Sequence, residues 1–158
     1  VDRGWYVSTT TLDWERSAIA IFINLQQEVE FHLRWIRENK AIIAPTDYAS
    51  SRATWAELWI EANVGTLLAN RILSMDMKGV IANSEASIAK LFVSLLTQRI
   101  TYAGVKMLGT WGQLWDERGY LEGRMAFRYM RSVPNTIAGG SSEIMRNIIA
   151  TRGLGLPR

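Results

Sequence analysis

Two short stretches carry residue types and spacings suited to chemistry. Glu15 sits in line with Leu12, Ile19 and Phe22, one turn into a helical pattern. A carboxylate on an apolar stripe loses hydration, which raises its pKa and makes it a competent base toward a weakly acidic carbon. The other reading of Glu15 is a first-turn carboxylate that reaches solvent and complements the helix dipole. Near the C-terminus, Gly139-Gly140-Ser141-Ser142 runs straight into a helix with Glu143 in its first turn. Free backbone N–H groups at the positive end of a helix suit a phosphate or diphosphate, and Gly140 allows close backbone approach. The same residues also read as an N-cap, Ser141 or Ser142, with Glu143 stabilising the dipole.

Helices must position these groups. The first is capped by Thr10 with Asp13 and carries the stripe Leu12, Ile19, Phe22, Leu25, Val29, Leu33 and Ile36, the three-four spacing of a core-facing side. The loop from Asn39 to Thr46 ends it. The second runs from about Asp47 to Lys78 with Ala53, Leu58, Val64, Leu68 and Ile72 inward, and Gly79 stops it. The third runs from Asn83 or Ser84 to about Leu108 with Ile88, Leu91, Leu95 and Ile100 inward. Gly109 and Gly112 break it, Gly109 reading as a C-cap, and Trp111 and Trp115 fall in the loop beyond. A short helix covers Arg124–Arg131 and a last one about Ser142–Arg152. No strand-like alternation occurs, so the fold class is all-α, an up-down four-helix bundle. Arg124, Arg128 and Arg131 share one face, which reads as solvated; His32 is a lone histidine without metal partners; the seven tryptophans read as core and interface filling.

At 158 residues the chain is one domain, and its lack of cysteine excludes disulfides and thiolate metal sites and fits a reducing cytoplasm. A net charge of +3, without any Lys/Arg-rich run, gives no nucleic-acid face. No apolar run is long enough for a membrane span, and the opening VDRGWYVS does not read as a signal peptide. With no initiator Met and an entry on Gly4-Trp5, residues 1–158 read as a fragment or an excised C-terminal domain.

The final stretch, AGGSSEIMRNIIATRGLGLPR, and the entry GWYVSTTTLDWER closely resemble the C-terminal domain of the acyl-CoA dehydrogenase family, over essentially the whole chain. DYASSRATWAEL and SEASIAKLF look like the bacterial branch, which handles bulky acyl-CoAs including steroid side-chain intermediates. Family members place the catalytic carboxylate either just before the Gly of the C-terminal turn, where this chain has Gly139, or in an L-x-x-E-R string on the first helix. Here that string is LDWER, so the resemblance makes Glu15 the catalytic base and Arg16 a substrate contact. It makes Gly140, Ser141 and Glu143 contacts to FAD. In VKMLG it gives Lys106 and Gly109 to the flavin diphosphate or adenosine, often a neighbouring subunit's; the family's second glycine is Thr110 here.

One departure stands out. Family members commonly carry an Arg followed by Phe-Gly after the first helix, clamping the partner subunit's FAD. This chain reads LRWIRENKAIIAP, with Arg34 and Arg37 but no Phe-Gly. The resemblance implies α,β-dehydrogenation of an acyl-CoA thioester, an electron-acceptor flavoprotein, and a homo- or hetero-oligomer. It further implies that N-terminal helical and middle β domains lie outside this chain, so the isolated domain is predicted inactive. An acyl-CoA oxidase, or a non-catalytic subunit supplying half of a composite FAD site, would use the same framework.

Overall fold

A computed structural model describes residues 3, 4, 6–8, 19–39 and 45–157. These form helices joined by turns and loops, with no strand among them: α1 (Ile19–Glu38), α2 (Pro45–Asp76), α3 (Asn83–Leu108), α4 (Thr110–Gln113), α5 (Arg124–Ser132), a 3₁₀ turn (Pro134–Thr136), and α6 (Ser142–Ile148) running on into a π-helical turn (Ile149–Gly153). The expected cap at Thr10 and Asp13, and the first turn bearing Glu15 and Arg16, lie outside the described residues.

Side-chain pairs fix the directions. Between α1 and α2, the Asn63 side-chain oxygen accepts from Gln26 at 3.3 Å and the His32 ring lies 4.5 Å from that of Trp55. Between α2 and α3, Arg71 pairs with Glu85 at 3.2 Å and Arg99 pairs with Glu61. Numbers rise on one helix as they fall on the next, so these neighbours are antiparallel. α5 and α6 both pack on α3 and complete the bundle.

Local chemistry accounts for the ends. Pro45 opens α2, where its missing N–H costs nothing. Beyond Asp76, Val80 N–H bonds the Met75 carbonyl and Gly79 N–H that of Asp76, both at 3.0 Å, the paired bonds of a Schellman stop. At the α1–α2 crossing a Cβ on Gly65 would lie 2.2 Å from the Phe22 ring, so only glycine lets the helices come this close.

The inward faces differ from the sequence expectation. Phe22, Leu25, Val29 and Ile36 of α1 are buried as expected. On α2 the buried set is Trp55, Leu58, Ala62, Ala69 and Ile72, whereas Ala53 and Val64 are exposed. On α3 it is Ala86, Ala89, Val93, Leu96, Ile100 and Ala103, whereas Ile88 and Leu95 are exposed. α3 has helices on several sides, and close helix approach selects small residues there rather than the largest apolar ones. The tryptophans divide likewise: Trp55 is core, but Trp111 and Trp115 are exposed. Trp111 also lies in a one-turn helix, α4, where a loop was expected.

Candidate functional site

The C-terminal end of α3 opens onto a cavity of about 690 Å³. Its walls are aromatic, with Trp35, Trp55, Trp111 and Tyr120; Ser50, Ser51 and Thr54 at the start of α2 add hydroxyls, and Lys106, Gly109 and Arg118 complete one side. Lys106 has no carboxylate partner among the described residues, whereas Asp116 holds Arg118 at 2.5 Å. Gly109 takes φ 55° with nothing within 4 Å of where a Cβ would stand. Two residues assigned by resemblance, Lys106 and Gly109, therefore share one cavity.

The second predicted cluster forms as a unit elsewhere. Ser141 caps α6 by accepting the Ile144 N–H at 3.3 Å. Gly140 holds φ 110°, and a Cβ there would come 2.6 Å from the buried Met145 methyl, so the turn requires glycine. Glu143 is 79% exposed, 3.6 Å from Arg146. Its own backbone N–H, the Ser141 hydroxyl and Arg146 hold its carboxyl below the usual range. Lys90 steadies the approach to this turn, its ammonium donating to the Asn135 carbonyl at 2.5 Å and to Ser94 Oγ at 3.0 Å. Sixteen residues of α3 separate Lys90 from Lys106, about 24 Å at 1.5 Å per residue. The turn and the cavity are thus distinct places on one chain. Glu15 and Arg16, the residues expected to do the chemistry, lie outside the described residues.

Sequence reasoning missed a third cluster. Arg128, expected on a solvated face, reaches across to α1, its Nη2 2.5 Å from Oε2 of Glu28, whose side chain is 6% exposed. The approach lies off the line of a hydrogen bond, so both Glu28 oxygens lack an aligned donor. Burial pushes the Glu28 carboxyl up, against the pull of Arg128. One turn on, His32 is fully enclosed, between Trp55 at 4.5 Å and Tyr120 at 6.1 Å between ring centroids. Burial, with Arg128 nearby, lowers its pKa to about 4. Burial also pushes the Tyr120 phenol up to about 12. The available signal was Glu28 and His32 at i and i+4, flanked by Leu25, Val29 and Ile36 on the apolar stripe. Among the described residues, no group of three or more His, Cys, Asp or Glu could hold a metal ion, and no helix is long and apolar enough to cross a membrane.

The profile described as acyl-CoA dehydrogenase, C-terminal domain, matches residues 2–154. The acyl-CoA dehydrogenase FadE34 of Mycobacterium tuberculosis is 28% identical over 158 residues, all of this chain and 20% of its own length. The solved structure titled Tcur3481-Tcur3483 steroid ACAD G363A variant superposes with a TM-score of 0.83 at 25% identity, covering 100% of this chain and 41% of that one. The ChsE4-ChsE5 complex from Mycobacterium tuberculosis has the same fold, with a TM-score of 0.70 at 24% identity over 89% of this chain and 36% of its own. The chain thus spans a fifth to two-fifths of the length of these relatives.

Proposed function

This chain belongs to the acyl-CoA dehydrogenase family, as its C-terminal domain, and from that membership we propose that it is the helical part of a flavoenzyme oxidising an acyl-CoA thioester between Cα and Cβ. The observation that carries this reading is the meeting of Lys106 and Gly109 on one aromatic, cationic cavity. That donor set fits an adenosine diphosphate: flat rings for the base, the Lys106 ammonium for phosphate charge, hydroxyls for the ribose. Gly140, Ser141 and Glu143, some 24 Å away along α3 by the helical rise, would contact a second flavin at its own position. One chain serving two flavins implies an oligomer.

In this reading FAD, when bound, accepts the hydride that leaves Cβ. Glu15 removes the proton from Cα, and the electron pair of that C–H bond becomes the new double bond. Arg16 contacts the substrate. The aromatic walls exclude water and orient what they enclose. An acceptor flavoprotein would be the partner that takes up the two electrons. The substrate class is bulky acyl-CoAs, supported by the steroid ACAD among the similar structures.

A second reading is a subunit that supplies half of a composite flavin site to a different chain. The missing Phe-Gly after Arg37 favours it, and the similarity to a complex of two named chains supports it.

Anaerobic flavin bleaching tests both. The full-length protein is expressed alone and with the product of the adjacent gene, then mixed with steroid and long-chain acyl-CoAs. Bleaching in wild type and none in a flavin-loaded Glu15→Gln variant is the expected result. Equal bleaching in both removes Glu15 as the base. Flavin retained only with the neighbouring product selects the composite subunit.

A further inference from the structure

Among the described residues, five buried side-chain polar atoms have no hydrogen-bond partner, and four belong to one cluster: both carboxylate oxygens of Glu28, Nδ1 of His32 and Oη of Tyr120. The fifth, Oδ1 of Asn83, stands apart at the start of α3. Buried polar groups in native proteins almost always find a protein or water partner, and four orphans together make an isolated flaw a poor account. Glu28 and His32 are one turn apart on α1, the Tyr120 ring is 6.1 Å from His32, and Arg128 lies 2.5 Å from Glu28. The cluster brings a cation, a carboxylate, an imidazole nitrogen and a phenol together between α1, α5 and the loop that carries Tyr120. A buried water takes two to four such partners.

We propose that Glu28, His32, Tyr120 and Arg128 enclose a buried hydration site, in which ordered water bridges the carboxylate, the imidazole Nδ1 and the phenol to the guanidinium. The site lies directly behind the cavity wall, because Tyr120 and Trp55, both neighbours of His32, also line the cavity. Water held there fixes the Tyr120 phenol from behind. The Tyr120 N–H to Trp111 carbonyl bond, at 3.3 Å, fixes the same residue from its backbone. The hydration site therefore links α1 and α5 to the shape of the cavity.

The test uses the full-length protein and measures neither flavin nor substrate, so it is independent of the enzyme reading. A crystal structure resolving solvent is determined for wild type and Tyr120→Phe. The melting temperature of each is measured at pH 7.5. The expected wild-type result is solvent density within about 2.6–3.2 Å of at least two of the four orphaned atoms. Removing the hydroxyl then strands a partner of that water, and the melting temperature falls by about 1–2 °C, the shift from one lost partner shrinking as the chain lengthens. If no solvent density lies there and Tyr120→Phe melts at or above the wild-type temperature, the hydroxyl is an orphan and the proposal is overturned. Direct pairing of the four atoms with one another in the crystal overturns it equally.

Discussion

The chain carries two Glu–Arg pairs whose surroundings reverse their chemistry. Glu28 with Arg128 is an interior pair joining α1 to α5; Glu143 with Arg146 is a surface pair within α6. The interior carboxyl is pushed up although a guanidinium stands 2.5 Å away. The surface carboxyl is pulled down although its cation is more distant, at 3.6 Å. Desolvation outweighs the ion pair at Glu28, whereas at Glu143 the N-terminal hydrogen bonds outweigh a weaker desolvation. Distance between charges is therefore a poor guide to their effect; access to water decides it.

Removing the cations should separate the two regions most widely. Arg128→Ala leaves Glu28 buried and unpaired, and about 3 kcal/mol of stability should go, the usual cost of breaking such a pair. Arg146→Ala should leave stability nearly unchanged, because that pair is exposed to water. Denaturant unfolding followed by hydrogen exchange on α1 and α5 reads both, and similar losses for the two variants would erase the contrast. Replacing Glu28 and Arg128 together by Leu and Met should restore most of the loss, since neither charge is then stranded.

Acid titration sharpens the interior side. His32 holds its imidazole at about 4 against an ordinary 6.5. Between those values the unfolded chain binds a proton that the native chain refuses. Stability from this group therefore falls as the pH drops from 6.5 toward 4, by about 3 kcal/mol in all. Glu28 opposes it: its raised carboxyl takes up a proton in the native state above 4.5, so acidification favours folding there. In Glu28→Gln the His32 slope should stand uncovered and steepen between pH 6.5 and 4. An unchanged or flatter slope would mean that the imidazole is not shielded.

The surface region should respond to backbone geometry rather than charge. Gly140→Ala forces an L side chain to φ 110° and a Cβ toward the buried Met145, at a cost of about 2 kcal/mol. Ser141→Ala removes the α6 cap for about 1 kcal/mol. In flavin-loaded protein, Ser141→Ala should also loosen flavin more than its stability loss explains. Titrating flavin release in urea distinguishes the two contributions.

Much of the surface region was legible in the chain itself. A glycine pair, a hydroxyl one residue on and an acid in the first turn specify a capped helix start by contacts within five residues, and that turn formed as read. Gly79 stopped α2 for the same reason, whereas the helix opens at Pro45, inside the stretch read as loop, rather than at about Asp47. The stripe of α1 was also readable, because α2 is its main partner and its apolar residues recur on one side. The stripes of α2 and α3 were readable only in part: Leu58, Ile72 and Ile100 are buried as expected, but several neighbours compete for those faces, and Ala62, Ala69, Ala86 and Ala89 are buried while Ala53, Val64, Ile88 and Leu95 are exposed.

The interior cluster shows the limit most clearly. Local sequence could place Glu28 and His32 on an apolar stripe, but Tyr120 and Arg128 come from a loop and a helix about ninety residues further along the chain. The long helices, the glycine stops and the α6 cap follow from interactions between near neighbours, whose geometry the backbone imposes. Which face each helix buries, which charge loses its water, and which aromatic rings close a cavity depend on segments meeting from far apart. Only the packed bundle decides those, because solvent exclusion is a property of the assembled core and not of any stretch of chain.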